Sequence, residues 1–190
     1  MNILPLETAL FSYRHLLAAD DIQSQVEGFS VGRESGMGLE FYLKNVAAED
    51  EKDGSARTYL VYDKFSLQVV SYFTLRTGLF TVQIAADYFY TVPSIELSNF
   101  AVNARYRQSH PDIDAIGSTV FSEFILPIVD FARDYVGIQA LYIYALPEPS
   151  LIAYYETLGF HRLEGDEEEF VHSHVKPKYD EGCIFMYQML

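Results

Sequence analysis

Three short stretches hold the residue types from which chemistry can be built. In Ile95–Asn103 (IELSNFAVN) one carboxylate, Glu96, stands in an apolar strand pattern. Ile95, Leu97, Asn99 and Ala101 fall on one face, Glu96, Ser98, Phe100 and Val102 on the other. A carboxylate there costs free energy if buried, so it needs a partner or a purpose. Further on, Ala115-Ile116-Gly117-Ser118 is a small-residue turn opening a helical pattern. The first amides of a helix lack intrahelical partners and lie at the positive end of its dipole, which suits a phosphate. The third stretch, Ala153–Phe160 (AYYETLGF), sets Tyr154 and Tyr155 on a short helix, where adjacent residues point different ways.

Other chemistries find less support. His172 and His174 (VHSHV) would share one face of a strand, but no Cys or further His stands near them, so no metal site is expected. The lone Cys183 has no partner for an internal disulfide and reads as a small buried hydrophobe in a reducing cytoplasm. No Gly-x-Ser-x-Gly elbow, Walker-type loop or dinucleotide fingerprint occurs.

The elements that must position these stretches can be read in order. Asn2–Leu6 suits a short strand, His15–Val26 a helix, and Phe29–Gly38 a glycine-bearing loop. Met37–Ala48 has helical spacing and is closed by the polar run Glu49–Ser55, with Gly54 as the stop. Ala56–Asp63 and Leu67–Arg76 form a hairpin, and Ile95–Asn103 a third strand. Gly78–Pro93 is aromatic and poorly patterned, and reads as strand extension plus loop. Ser118–Val136 is the longest helix, bent at Pro127 and ended by Gly137. Gln139–Ala145 is a buried strand, Pro149–Leu158 a helix capped by Gly159, and Phe160–Leu163 a brief strand. Glu164–Glu169 reads as a solvated acidic turn and Cys183–Met189 as the final strand. The order predicts a single α+β domain over 1–190, with a mixed sheet flanked by helices.

Composition narrows the partners. At 190 residues and 49% apolar, the chain has the size and content for a real core. No apolar run approaches bilayer length, and the N-terminus lacks a signal-peptide layout, so no membrane role is expected. With 27 acids against 13 Lys and Arg, the net charge is −14. That field disfavours a nucleic acid unless the bases cluster, and favours an amine-bearing substrate.

Taken together, Ile95–Val102, the turn into Ser118–Phe121 and above all Ala153–Phe160 resemble the GNAT superfamily of acyl-CoA-dependent N-acyltransferases. The resemblance runs from about Tyr59 to Leu163. The N-terminal half, with Phe29, Gly36, Leu39, Phe41 and Leu43 before Arg57–Val61, also looks like the branch of toxin-type aminoacyl-tRNA acetyltransferases. The resemblance implies an α/β/α-like fold with a mixed, mostly antiparallel twisted sheet, and acetyl-CoA as co-substrate without a metal. Its acceptor would be a primary amine of a small molecule or protein, and it leaves room for a homodimer. A degenerate binding or regulatory module, an acyl-CoA sensor and the tRNA-modifying toxin are the rival readings.

The same resemblance assigns roles. Glu96 is the general base, acting through water, with burial expected to raise its pKa. The N–H of Phe100 or Ala101 polarises the thioester carbonyl, and Val102 binds the pantetheine arm where the neighbouring strand splays away. Tyr155 protonates the leaving thiolate, since an ordinary phenol with pKa ~10 still holds its proton at neutral pH. Arg107, Ala115, Ile116, Gly117 and Ser118 hold the pyrophosphate. Here the chain departs from the family's Arg/Gln-x-x-Gly-x-Gly/Ala loop. Ala115 takes the middle glycine and requires a negative φ, Asp112 takes the basic or amide position, and Gln108–Asp114 lengthens the turn. Arg105 or Arg107 would replace the missing donor. Glu148 lies near the place of an Asn common in the family, and His110 lies inside the loop, where it could approach a phosphate.

Overall fold

The structure is a computed structural model that describes residues 8–19, 21–163, 165–174 and 182–190; the strand expected at Asn2–Leu6 lies outside them. Seven strands form one mixed, mostly antiparallel sheet in the order β1-β2-β3-β4-β5-β7-β6. The chain divides into two compact units, Met1–Arg76 with Ser98–Phe131, and Thr77–Leu97 with Ala132–Leu190.

In the first unit, β1 (Phe11–His15) pairs antiparallel with β2 (Arg57–Asp63), and β2 with the first part of β3 (Val69–Ala85). β1 forms ahead of the expected helix, with Phe11 and Tyr13 buried and paired along β2, and the helix expected over His15–Val26 opens as a 3-10 turn at Leu16–Ala18. The helix is only α1 (Ile22–Glu27), capped by the Asp21 carboxylate, which accepts from Ser24 N at 3.3 Å. Helices α2 (Met37–Asn45) and α3 (Ala47–Asp53) replace a single helix. The supposedly polar closing run is α3 itself. Glu49 and Asp50 suit its first turn, and Glu51 folds inward to accept Thr58 N at 2.6 Å. Gly54, at φ 80°, ends it as expected.

Leu16, Val26, Phe29, Leu43, Leu60 and Tyr72 pack as one core beneath these helices. On the other face Tyr59 stacks on Phe73 at 4.9 Å, and Tyr13 meets Phe124 edge-on at 5.3 Å. Phe124 belongs to the long helical stretch made of α5 (Ile116–Val120), a π turn (Phe121–Ile125) and α6 (Leu126–Arg133). Pro127 has no N–H and crowds the carbonyl four residues back, and widening the preceding turn absorbs both effects. The stretch ends at Arg133, a turn before Gly137, where Tyr135 N and Val136 N both close on Ala132 O.

In the second unit β3 and β4 (Tyr88–Val102) continue as one long hairpin, so Gly78–Pro93 is the expected strand extension with the loop reduced to a turn at Ala86 and Asp87. Its pattern is unreadable because Leu79, Ile84, Tyr88 and Phe89 stand exposed, and inward–outward alternation is lost. β5 (Ala140–Ala145) pairs parallel with β4 and antiparallel with β7 (Ile184–Met189), which also carries β6 (His161–Arg162). Phe80, Val92, Tyr142 and Phe185 centre the core there. α7 (Pro149–Thr157) matches expectation. The acidic turn does not: Gly165–His174 is α8, whose Asp166, Glu167 and Glu168 occupy its first turn. Val171 is buried and Glu168 accepts Phe185 N at 3.0 Å, so the helix is docked, while Asp166, Glu167 and Glu169 stand exposed as expected and Glu164 lies outside the described residues. His172 and His174 therefore lie two apart on a helix and do not share a face. Among the described residues no cluster of His, Cys, Asp or Glu is fit to hold a metal.

Candidate active site

β4 is the element that holds most of the expected residues: Ile95, Leu97 and Ala101 are buried and Glu96, Ser98, Phe100 and Val102 half-buried, the alternation lapsing only at half-buried Asn99. The ladder to β5 runs over Ser94↔Ala140, Ile95↔Leu141 and Glu96↔Tyr142, and goes no further along the described residues. β5 nevertheless continues to Ala145 and β4 to Val102. The ladder thus stops at Glu96, before the Ala-Val pair, while β5 keeps its register with β7 through Ala145.

Backbone direction along β4 can be read from its other neighbour. Ser71 Oγ on β3 donates to Ala101 O at 2.7 Å, and Asn103 N donates to Val70 O at 2.8 Å. Residues 101 and 103 thus address β3, and the two-residue period turns the backbone groups of Phe100 and Val102 to the opposite edge. Of the two amides considered for polarising a carbonyl, Phe100's points to that edge and Ala101's does not.

Glu96 itself meets a residue the sequence did not single out. Tyr142 Oη donates to Glu96 Oε2 at 3.3 Å, from the last rung of the ladder. Tyr142 is one of two tyrosines in QALYIYA, but nothing in that stretch reveals the parallel register that sets it opposite Glu96.

Beyond Val102, Asn103 caps α4 (Ala104–Ser109) by accepting Arg105 N at 3.1 Å, while its amide donates to Val69 O at 2.8 Å. The polar turn expected here is therefore partly helix. Tyr106 of α4 is buried and donates to Asp63 Oδ2 at 2.6 Å, which fixes α4 to the β2–β3 turn. Burial, then this carboxylate, pushes the Tyr106 phenol up. Burial alone would raise Asp63, but the hydrogen bonds from Tyr106 and the Ser66 and Phe65 amides outweigh it and hold the carboxyl below its ordinary value. His110 stacks on Tyr106 at 4.1 Å. Arg105, Arg107 and Asp112 are exposed.

Ala115 departs from the expectation. It lies at φ 53°, ψ 31°, in the left-handed region, rather than at the negative φ an alanine prefers. The turn retains a glycine's conformation, and the side chain is strained in it by about 1–2 kcal/mol. Ile116 is buried, Gly117 and Ser118 are half-buried, and α5 starts directly after the turn.

Tyr155 sits inside α7, buried, with Phe160 edge-on at 5.6 Å. Phe160 N returns to Tyr155 O at 3.1 Å around Gly159, whose φ of 91° permits the turn. Burial, then neighbouring Tyr154, pushes the Tyr155 phenol well up, so it stays protonated at any ordinary pH. Glu148 holds the N-cap position without a side-chain capping bond, and His161 is exposed on β6.

No protein-family model and no curated protein matches the chain. Solved structures do. A tyrosine-to-phenylalanine mutant of KacT is similar over 95% of both chains, at 19% identity and a TM-score of 0.67. A tyrosine-to-phenylalanine mutant of the AtaT toxin, bound to the C-terminus of the antitoxin AtaR and acetyl-CoA, is similar over 94% of this chain and 92% of its own, at 21% identity and TM-score 0.66. AtaT complexed with acetyl-methionyl-tRNAfMet is similar over 92% and 93%, at 20% and 0.64. At these identities the likeness is one of fold, and the fold is that of the GNAT superfamily.

Proposed function

We propose that this protein transfers an acetyl group from acetyl-CoA to a primary amine. The observation that carries the reading is the end of the β4–β5 ladder at Glu96, beyond which the Phe100 and Val102 backbone groups turn away from β3. Glu96, through a water, takes a proton from the acceptor ammonium. The freed nitrogen attacks the thioester carbonyl, and the Phe100 N–H stabilises the oxyanion as the C–N bond forms. The C–S bond then breaks, and the nitrogen's second proton passes to sulfur. Tyr155, a phenol that stays protonated, donates a hydrogen bond to the departing thiolate. Val102 binds the pantetheine arm, with the amides of Ile116, Gly117 and Ser118, and Arg107 beside them, on the diphosphate. Residues 1–190 act as one acetyltransferase domain, through which β3 and β4 run unbroken.

A specific acceptor is favoured by one neighbour, AtaT in complex with acetyl-methionyl-tRNAfMet. Nine of the thirteen Lys and Arg residues fall in the first unit, but its fifteen Asp and Glu leave that unit at −6, so a polyanion would have to meet those bases as a local cluster. We therefore place the amine of an aminoacyl-tRNA beside small-molecule and protein amines as the acceptor. Buried Cys183 suits a reducing cytoplasm, and no helix among the described residues is long and apolar enough to cross a membrane. Calorimetry with acetyl-CoA, followed by thiol release over an amine panel that includes charged tRNA, tests the reading. Heat of binding and amine-dependent release are expected. Binding without release would leave a sensor, and no binding a module that has lost the activity.

A further inference from the structure

We propose that Tyr142 is the positioning residue of Glu96, and that Gly78 exists in β3 to let it be one. The inference rests on the proposed acetyl transfer, because it takes Glu96 as the base. Tyr142 occupies the last rung that β5 makes with β4, directly opposite Glu96, and its hydroxyl donates to Glu96 Oε2 at 3.3 Å. The phenol is fixed there. Tyr142 is 3% exposed, and its ring is held by Phe80 at 5.9 Å, Phe185 at 5.5 Å and Tyr144 at 5.9 Å.

Gly78 supplies the second half of the argument. It is the one glycine in the 17 residues of β3, and glycine inside a strand weakens it. A Cβ built at Gly78 would overlap the Tyr142 hydroxyl and the ring carbons beside it. The tyrosine therefore lies across a backbone that has been kept bare. A glutamate has three rotatable side-chain bonds, and a base that must meet a water-bound ammonium works only in a narrow set of their settings. A rigid donor on one carboxylate oxygen fixes where the other points. The tyrosine touches the base and not the reacting atoms, so its effect belongs in the rate of the chemical step rather than in co-substrate binding.

Tyr142→Phe keeps the ring contacts and removes only the hydroxyl, and Gly78→Ala displaces the whole phenol. Both variants are to be compared with wild type in steady-state transfer from acetyl-CoA, and by carboxyl 13C NMR of glutamate-labelled protein, with the Glu96 resonance assigned by its loss in Glu96→Gln. The expected result is a fall in kcat of about tenfold for Tyr142→Phe, an acetyl-CoA KM within about twofold of wild type, and a shifted Glu96 resonance. Gly78→Ala should move the same resonance and lower kcat at least as far. A Tyr142→Phe variant with full kcat, or an unmoved Glu96 resonance, overturns the inference while leaving the proposed function standing. Wild-type protein that acetylates no amine removes both.

Discussion

Tyr155 and Tyr106 are both buried phenols pushed above their ordinary range, yet their partners give them different work. Tyr155 packs against Tyr154 and Phe160, and the proposed transfer asks its hydroxyl to meet the leaving thiolate. Tyr155→Phe should lower turnover at least about tenfold and leave acetyl-CoA affinity nearly unchanged, as kinetics and calorimetry on one preparation would show. Equal turnover would remove Tyr155 from the chemistry. Tyr106 is spent on Asp63 instead. Asp63 has a lowered folded-state pKa, so its contribution to stability is present above the unfolded carboxylate pKa and is lost as pH falls through the folded value. Tyr106→Phe should thus cost about 2 kcal/mol at neutral pH, and less as the medium turns acidic, in urea unfolding at a series of pH values. A cost that does not change with pH would mean the bond contributes nothing specific to the charged carboxylate.

Among the elements, the loop before α5 holds an alanine in a conformation that favours glycine. Ala115 adopts the left-handed turn that a glycine would take. Ala115→Gly should raise stability by about 1 kcal/mol in denaturant unfolding, and a loss would mean that the methyl group makes a compensating contact. Asp112 tests the electrostatics of the same turn. Asp112→Arg should tighten acetyl-CoA binding in calorimetry, because it exchanges a repelling charge for an attracting one beside the diphosphate. Weaker binding would show that the turn is not where the phosphates go. Legibility among the elements followed burial. β2, β5, β7 and α7 were read close to their true limits because each has one clear pattern. The β3–β4 hairpin was not, since its outer half is exposed on both faces. α8 was hidden by its acids, which mark a helix start as readily as a turn. β1 was hidden because Phe11 and Tyr13 are too short a pattern without their partner strand.

For the whole molecule, the family resemblance reached the fold and the strand pattern reached β4, but neither reached the pairings along that strand. Glu96 was legible as an anomaly. Tyr142 and Gly78 were not, because a parallel register and a missing side chain are facts of three dimensions. The backbone direction that separates Phe100 from Ala101 was equally invisible, since it depends on which edge β3 occupies. The net charge of −14 bears on the acceptor at this same scale. If the acceptor is carried by tRNA, binding must lean on the first unit's bases and weaken steeply with salt. The measurement that bears most directly on the central claim is mass spectrometry of the acceptor after incubation with protein and acetyl-CoA. It should show N-acetylated amine accumulating in step with released thiol in wild type, and far less of it with Glu96→Gln. Acetyl-CoA recovered intact, with every amine in the panel unmodified, would contradict the account.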